Sequence, residues 1–293
     1  MFCTLEFLDK DVLMVRAIVV VPCYNEAKRL NLRAIQDFAR QTQTVELLFV
    51  DDGSRDDTLS LLQHLQSRNP TRCQVLQLKP NGGKAEAVRQ GILQAIELKP
   101  DYIGFWDADL ATPLADIEAF CSVLADKPHV ELVMGTRLRL LGHKIERRPV
   151  RYWLGRVFAT AASWTLSLRI FDTQCGAKMF RVTPGLAELF AQRFLTRWIF
   201  DVEILARMQQ RRRHGQASLA EALYEFPLDA WREVGGSTLK SMDFLQAIFE
   251  MAKICWRYRL AAADLPPSLP APAHDQPSVP ARGERRKNQQ RAA

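Results

Sequence analysis

Between Ala17 and Met134, short apolar runs rich in β-branched residues alternate with stretches whose apolar side chains recur at helical spacing. This alternation constrains the fold more than any other feature of the chain. Strands separated by whole helices pair in parallel, and the helices then cover both faces of the sheet. Strands are expected at Ala17–Val21, Val45–Val50, Cys73–Leu78, Tyr102–Trp106 and Val130–Met134. Leu59, Leu62 and Leu65 share one helix face, as do Ala85, Val88, Ile92 and Ile96, and then Leu114, Ile117, Phe120 and Leu124. Asp57 is expected as a helix N-cap, and Pro113 suits a first helical turn. The expected class is α/β, a mostly parallel sheet flanked by helices, with amphipathic helices in the second half.

Each strand is followed by polar punctuation: Pro22 to Glu26, Asp51 to Ser54, Asn81 to Lys84, Asp107 to Asp109 and Gly135 to Arg137. In an open parallel sheet the carboxyl ends of the strands border one crevice, and ligands bind there. Asp107-Ala108-Asp109 would present two carboxylates at that edge. Such close carboxylates repel and call for a cation, and hard oxygen ligands suit Mg²⁺ or Mn²⁺, which also coordinate diphosphate. An isolated pair of this kind is more often a solvated acidic loop; its place after a strand favours the metal. Asp51, first after its strand, can accept from a ribose hydroxyl or a base N–H, whereas Asp52 fits a turn equally well. There is no G-x-G-x-x-G and no P-loop. A metal is then the expected means of neutralising a diphosphate, and Asn81-Gly82-Gly83-Lys84 either supplies a cation or simply opens a helix.

Of the 293 residues, 47% are hydrophobic and 25% charged, enough for a substantial core, and the net charge of +7 favours an anionic partner without choosing among nucleic acid, phosphorylated substrate and membrane surface. The six cysteines show no zinc-type spacing, which favours a reducing compartment. No run of about 20 apolar residues is present to span a bilayer. Tyr152 to Phe171 places Trp153, Val157, Ala161 and Trp164 at helical spacing and is either a core helix or an interfacial one; Leu239 to Leu260 has the same two readings. The expected organisation is an N-terminal extension (1–16), a main domain (17–262, divided into a nucleotide-binding half, 17–138, a second half, 139–238, and an amphipathic helix, 239–262) and a disordered Pro-rich basic tail (263–293).

Taken together, Pro22-Cys23-Tyr24-Asn25-Glu26, Asp51-Asp52-Gly53-Ser54, Asn81 to Arg89, Asp107-Ala108-Asp109, Gly135-Thr136-Arg137, Asp172 to Lys178 and Arg197 to Glu203 resemble, in order, the blocks of family 2 glycosyltransferases. The last two blocks look most like dolichyl-phosphate β-glucosyltransferases, with dolichyl-phosphate mannose synthases close by. Mannose synthases tend to carry Gln two residues after the acidic motif, where this chain has Ala111. The resemblance implies a GT-A fold, with Pro22, Tyr24, Glu26 and Asp51 around the nucleotide and Asp107 and Asp109 around metal and diphosphate. It also implies Lys84, Arg137, Arg148 and Lys178 as phosphate-facing cations, Arg147 and Arg151 being equally basic neighbours of Arg148, with Asp201 and Glu203 near sugar or acceptor.

The expected activity is metal-dependent, inverting transfer of a hexose, glucose from UDP-glucose, to a polyprenyl phosphate, at the cytosolic face of a membrane to which the protein is peripherally attached. The alternatives are mannosyl transfer from GDP-mannose, a different acceptor, or a noncatalytic nucleotide-sugar sensor. Arg211-Arg212-Arg213-His214 reads as a solvated helix end, and no nucleic-acid partner is expected.

Overall fold

The computed structural model describes residues 15–146, 149–212, 218–232 and 241–260. Strands β1 (Ala17–Cys23), β2 (Val45–Asp51), β3 (Cys73–Gln77), β4 (Tyr102–Trp106) and β5 (Leu132–Thr136) alternate with helices α1 (Leu32–Gln41), α2 (Thr58–Arg68), α3 (Lys84–Glu97) and α4 (Asp116–Asp126). Beyond them lie β6 (Lys144–Glu146), α5 (Pro149–Leu166), β7 (Ala177–Arg181), α6 (Leu186–Ala191), α7 (Phe200–Arg212), α8 (Leu219–Ala222), β8 (Leu223–Pro227), β9 (Ala230–Arg232) and α9 (Ser241–Ile254), which runs into a π-helical turn, Cys255–Leu260. The main sheet has seven strands in the order β3-β2-β1-β4-β7-β5-β8, and β6 pairs with β9 in a small second sheet.

The period of two along β1 assigns its side chains to two cores. Ile18 and Val20 join Val50, Val88, Ile92, Phe105, Phe180 and Phe200 on one face. Ala17, Val19 and Val21 join Leu47, Phe49, Leu62, Trp106 and Phe120 on the other. Strands buried on both sides carry near-continuous apolar sequence, which is why β1, β2 and β4 stand out in the chain.

Among the described strands of the main sheet, β7 alone is antiparallel to its neighbours, pairing with both β4 and β5. That reversal matters for position: Ala177 at the start of β7 lies opposite Trp106 at the end of β4, so the segment leading into β7 arrives at the crevice.

Several local expectations change. β5 starts two residues later than expected because Val130 N–H turns back to Lys127 O at 2.9 Å. Asp57 occupies the N-cap position of α2 without a side-chain bond, and Asp56 instead accepts from Thr58 N and Thr58 Oγ1. Pro113 lies before α4, in a turn closed by Asp116 N–H to Pro113 O. The aromatic helix is α5; it stops at Leu166, where Ser167 takes a φ of 51°. The expected extension through residue 14 and the tail from 263 lie outside the described residues, as does Arg148.

Candidate active site

The crevice is built by fastening loops to one another. Asn25 N–H donates to Ser54 Oγ at 3.1 Å, Glu26 N–H to Thr58 Oγ1 at 2.8 Å, and Arg55 N–H to Asn25 Oδ1 at 2.8 Å, which locks the loop after β1 onto the loop after β2. Asp52 then carries the lock onward by accepting from Asn81 Nδ2 (2.9 Å), Gly82 N (2.8 Å) and Gly83 N (2.7 Å). It organises the backbone. Asp51 behaves differently: it is buried, its Oδ1 takes one long bond from Ser54 N at 3.4 Å, and its Oδ2 has no hydrogen-bond partner among the described residues. Glu26 Oε2 is in the same condition, and Tyr24 is 41% exposed beside it. Buried acceptors without donors are costly in a folded protein and mark places where a ligand donor fits.

At the end of β4 the acidic motif turns sharply. Asp107 N–H donates to Gly176 O and Leu110 N–H to Asp107 O, both at 3.1 Å, and Leu110 adopts a φ of 51°, a left-handed conformation that an ordinary side chain rarely takes. A methyl group on Gly176 would collide with the Asp107 carboxylate, so the approach of the β7 loop to the acid needs glycine. Lys84, the first residue of α3, pairs with Asp107 Oδ1 at 2.5 Å, and Arg29 reaches Asp109 Oδ2 at 3.6 Å and Glu26 Oε1 at 3.4 Å.

Crowding sets the protonation behaviour. Burial, and after it the charge of Asp107, raises the Asp109 pKa, against the Ala111 N–H, Arg29 and Lys84. Burial likewise raises Glu26, with Arg29 opposing and Asp109, Asp107 and Asp56 reinforcing it. Burial works against the Lys84 ammonium, but Asp107, Asp201 and Asp109 outweigh it and its pKa rises. A site where burial and neighbouring charge disfavour ionisation of Asp109 and Glu26 suits a dication. Among the described residues no three His, Cys, Asp or Glu side chains form a closed metal cage. Asp107 and Asp109 therefore fit Mg²⁺ or Mn²⁺ in the manner of an ion held by one or two carboxylates and completed by substrate phosphate and water.

Of the remaining candidate cations, Arg137 and Lys178 are each paired with a carboxylate. Arg137 is nearly buried and forms a two-pronged pair with Asp172, at 2.6 Å (Nε–Oδ2) and 2.8 Å (Nη2–Oδ1), which outweighs burial and raises its pKa. Lys178 is fully buried in β7, and its ammonium donates to Thr173 O (3.0 Å), Cys175 O (2.7 Å) and Asp201 Oδ1 (2.6 Å). It holds the loop that carries Gly176 and has no donor left for a phosphate. Asp201 is its partner. Glu203 is fully buried and accepts from Leu195 N, Thr196 N, Arg207 and Tyr258.

The Glycosyl transferase family 2 profile matches residues 18–184, more than half of the chain. This chain belongs to glycosyltransferase family 2. It is similar to the mouse dolichyl-phosphate β-glucosyltransferase, 34% identical over 236 residues that cover 75% of this chain and 68% of that one. A dolichyl-phosphate β-glucosyltransferase of Trichomonas vaginalis is 30% identical over 252 residues, covering 82% and 71%. Among solved structures, glucosyl-3-phosphoglycerate synthase of Mycobacterium tuberculosis, crystallised with Mn²⁺, UDP and glucosyl-3-phosphoglycerate, superposes with a TM-score of 0.57 at 18% identity over 82% of this chain and 80% of its own. That likeness establishes the GT-A fold of the glycosyltransferase.

Two residues of the glycosyltransferase's crevice had no role assigned from the sequence, Arg29, which no motif included, and Arg197, named only as the start of the Arg197–Glu203 block. Arg29, three residues after Glu26, bridges the loop after β1 to Asp109, and its spacing from Glu26 was the available signal. Arg197 has its guanidinium against Gly83, 3.2 Å from where a Cβ would stand, a proximity that no spacing in the sequence encodes.

Proposed function

We propose that the protein transfers glucose from UDP-glucose to a dolichyl-type polyprenyl phosphate, with inversion at the anomeric carbon and with Mg²⁺ or Mn²⁺ held by Asp107 and Asp109. The observation that carries this reading is the paired acids at the end of β4, met among the described residues by the ion pairs of the partly exposed Lys84 and of Arg29, next to acceptors of Asp51 and Glu26 that have no partner among those residues. Similarity to proteins named dolichyl-phosphate β-glucosyltransferase supports the choice of sugar and acceptor.

In this reading Asp51 accepts from the base or ribose and Tyr24 covers the nucleotide. When bound, the metal acts as a Lewis acid toward the leaving diphosphate. Lys84 shares its ammonium between Asp107 and the diphosphate, a fixed charge where negative charge develops. A phosphomonoester acceptor, with a second pKa of about 6, is already largely ionised near neutrality. The protein's task at the acceptor is orientation, and no general base is required.

We also propose peripheral contact with a membrane. Trp153, Val157 and Trp164 fall on one face of α5 and are 69%, 59% and 67% exposed, with Arg156 stacked on the half-exposed Phe171. Ile248, Phe249 and Trp256 are exposed along α9 and its π-helical extension, beside Lys253. Aromatic and aliphatic side chains bordered by cations suit a headgroup boundary, and no described helix is long and apolar enough to cross a bilayer.

The direct test is incubation with UDP-glucose, a polyprenyl phosphate and Mn²⁺, with detection of glucosyl-lipid and released UDP. Glucosyl-lipid that disappears with EDTA is the expected result. Faster turnover of GDP-mannose would replace the donor, and UDP release without lipid product would replace the acceptor. Flotation with anionic vesicles tests the membrane contact, and protein left in the soluble fraction would remove it.

A further inference from the structure

The segment joining α6 to α7 is fastened in an unusual way. Five consecutive backbone N–H groups, Leu195 to Ile199, point to just two buried carboxylates. Leu195 N and Thr196 N donate to Glu203 Oε2 at 2.8 and 3.3 Å. Arg197 N donates to Glu250 Oε1 at 3.4 Å, and Trp198 N and Ile199 N to Glu250 Oε2 at 3.2 and 3.4 Å. Glu203 belongs to the first turn of α7 and is itself gripped by Arg207 and Tyr258 at 2.9 Å each. Glu250 comes from α9, where it is 5% exposed and also accepts from Gln246.

The residue so held is Arg197. Its guanidinium lies over Gly83, at the amino end of α3 next to Lys84, and its charge is felt by Asp52. No hydrogen bond or ion pair among the described residues engages it, whereas Lys84 is paired with Asp107, Arg137 with Asp172 and Lys178 with Asp201. Trp198 and Leu195 beside it are 53% and 48% exposed. A guanidinium with no hydrogen bond or ion pair among the described residues, on a loop whose five amides are fixed and whose apolar side chains are presented outward, suits an anion that arrives with an apolar chain attached.

We propose that Arg197 binds the phosphate of the acceptor and that Glu250 is its positioning residue, tying the acceptor-phosphate cation to α9. The proposal rests on the reading that the acceptor is a polyprenyl phosphate, and it deepens that reading by naming the group that receives it. Because Glu250 lies on the helix that also exposes Ile248 and Phe249, seating that helix on a lipid surface and placing Arg197 over the crevice are one event.

The experiment uses the full chain and a short, water-soluble prenyl phosphate. Its Kd is measured by titration calorimetry in the presence of UDP and Mn²⁺, and the Kd of UDP is measured separately. Arg197→Ala should raise the prenyl-phosphate Kd about 10- to 100-fold, the loss expected for charge-assisted hydrogen bonds to one phosphate. The Kd of UDP should stay within about twofold by the same reasoning, and Arg197→Lys should recover part of the loss because it keeps the charge. Glu250→Gln, nearly isosteric, should show the same one-sided loss to a smaller degree, and the remote Glu188→Gln should match wild type. An Arg197→Ala Kd equal to wild type, or an equal loss of UDP binding, overturns the acceptor assignment. A Glu250→Gln protein that binds like wild type overturns the positioning role. Failure of wild type to bind prenyl phosphate overturns both, whereas binding without glucosyl transfer from UDP-glucose leaves them standing and removes the proposed donor.

Discussion

Two lysine–aspartate pairs flank the same crevice with nearly the same bond length and opposite surroundings. Lys178 and Asp201 meet at 2.6 Å with side chains 0% and 7% exposed, and the lysine's other donors are taken by carbonyls. Lys84 and Asp107 meet at 2.5 Å with side chains 42% and 36% exposed, at the mouth of the site. A buried pair cannot lose one member without stranding a charge, so it serves as architecture. A pair open to solvent can trade partners at little cost. Position relative to water, and not residue type, separates the scaffold from the machinery.

The largest effect should come from breaking the closed pair alone. Lys178→Met is expected to cost roughly 3–5 kcal/mol of stability, read from the urea midpoint, because Asp201 is left buried without a countercharge. Adding Asp201→Leu should return part of that loss, and a double variant no better than the single one would contradict the assignment. Next comes the metal side of the open cluster: Asp109→Asn should lower Mn²⁺-dependent turnover on the order of 10²–10³-fold while leaving the unfolding midpoint close to wild type. Lys84→Met should be milder in rate, roughly 10- to 100-fold, with stability moved by less than about 1 kcal/mol. A midpoint shift as large as that of Lys178→Met would erase the distinction between the two pairs.

The smallest effect belongs to an acid with no lysine at all. Asp116 is pushed up to about 6, by burial first and by Asp229 second, and no ion pair reaches it among the described residues. Its folded pKa lies above the unfolded value, so its contribution favours the native state at low pH and is lost as pH rises from about 4 through about 6. Asp116→Asn should flatten that slope and stabilise the protein at pH 7 by roughly 1 kcal/mol, after allowance for partial exposure. Parallel stability–pH curves for the two proteins would exclude this source.

The nucleotide half was legible because its strands are buried on both faces and advertise themselves as apolar runs, from Val45–Asp51 to Tyr102–Trp106. β7 was not, because Lys178 and Arg181 interrupt a five-residue strand and make it look like a loop. The same lysine explains the main difference at the site. Sequence identifies a cation near the acids but carries no sign of whether three oxygens already surround it. The placements of Arg29 beside Asp109 and of Arg197 against Gly83 were hidden for the converse reason, since they arise from loops brought together across the fold.

Lys84 and Arg29 give the crevice a built-in set of counterions, and this makes the two halves of the proposed donor complex interdependent. A dication arriving alone must compete with both side chains for Asp107 and Asp109, while a diphosphate arriving alone meets those same acids. With both bound, Asp107 and Asp109 would hold the dication, while Lys84, shared between Asp107 and the diphosphate, and Arg29 would meet the diphosphate's charge. Under the proposed function each ligand therefore raises the affinity for the other by one common factor.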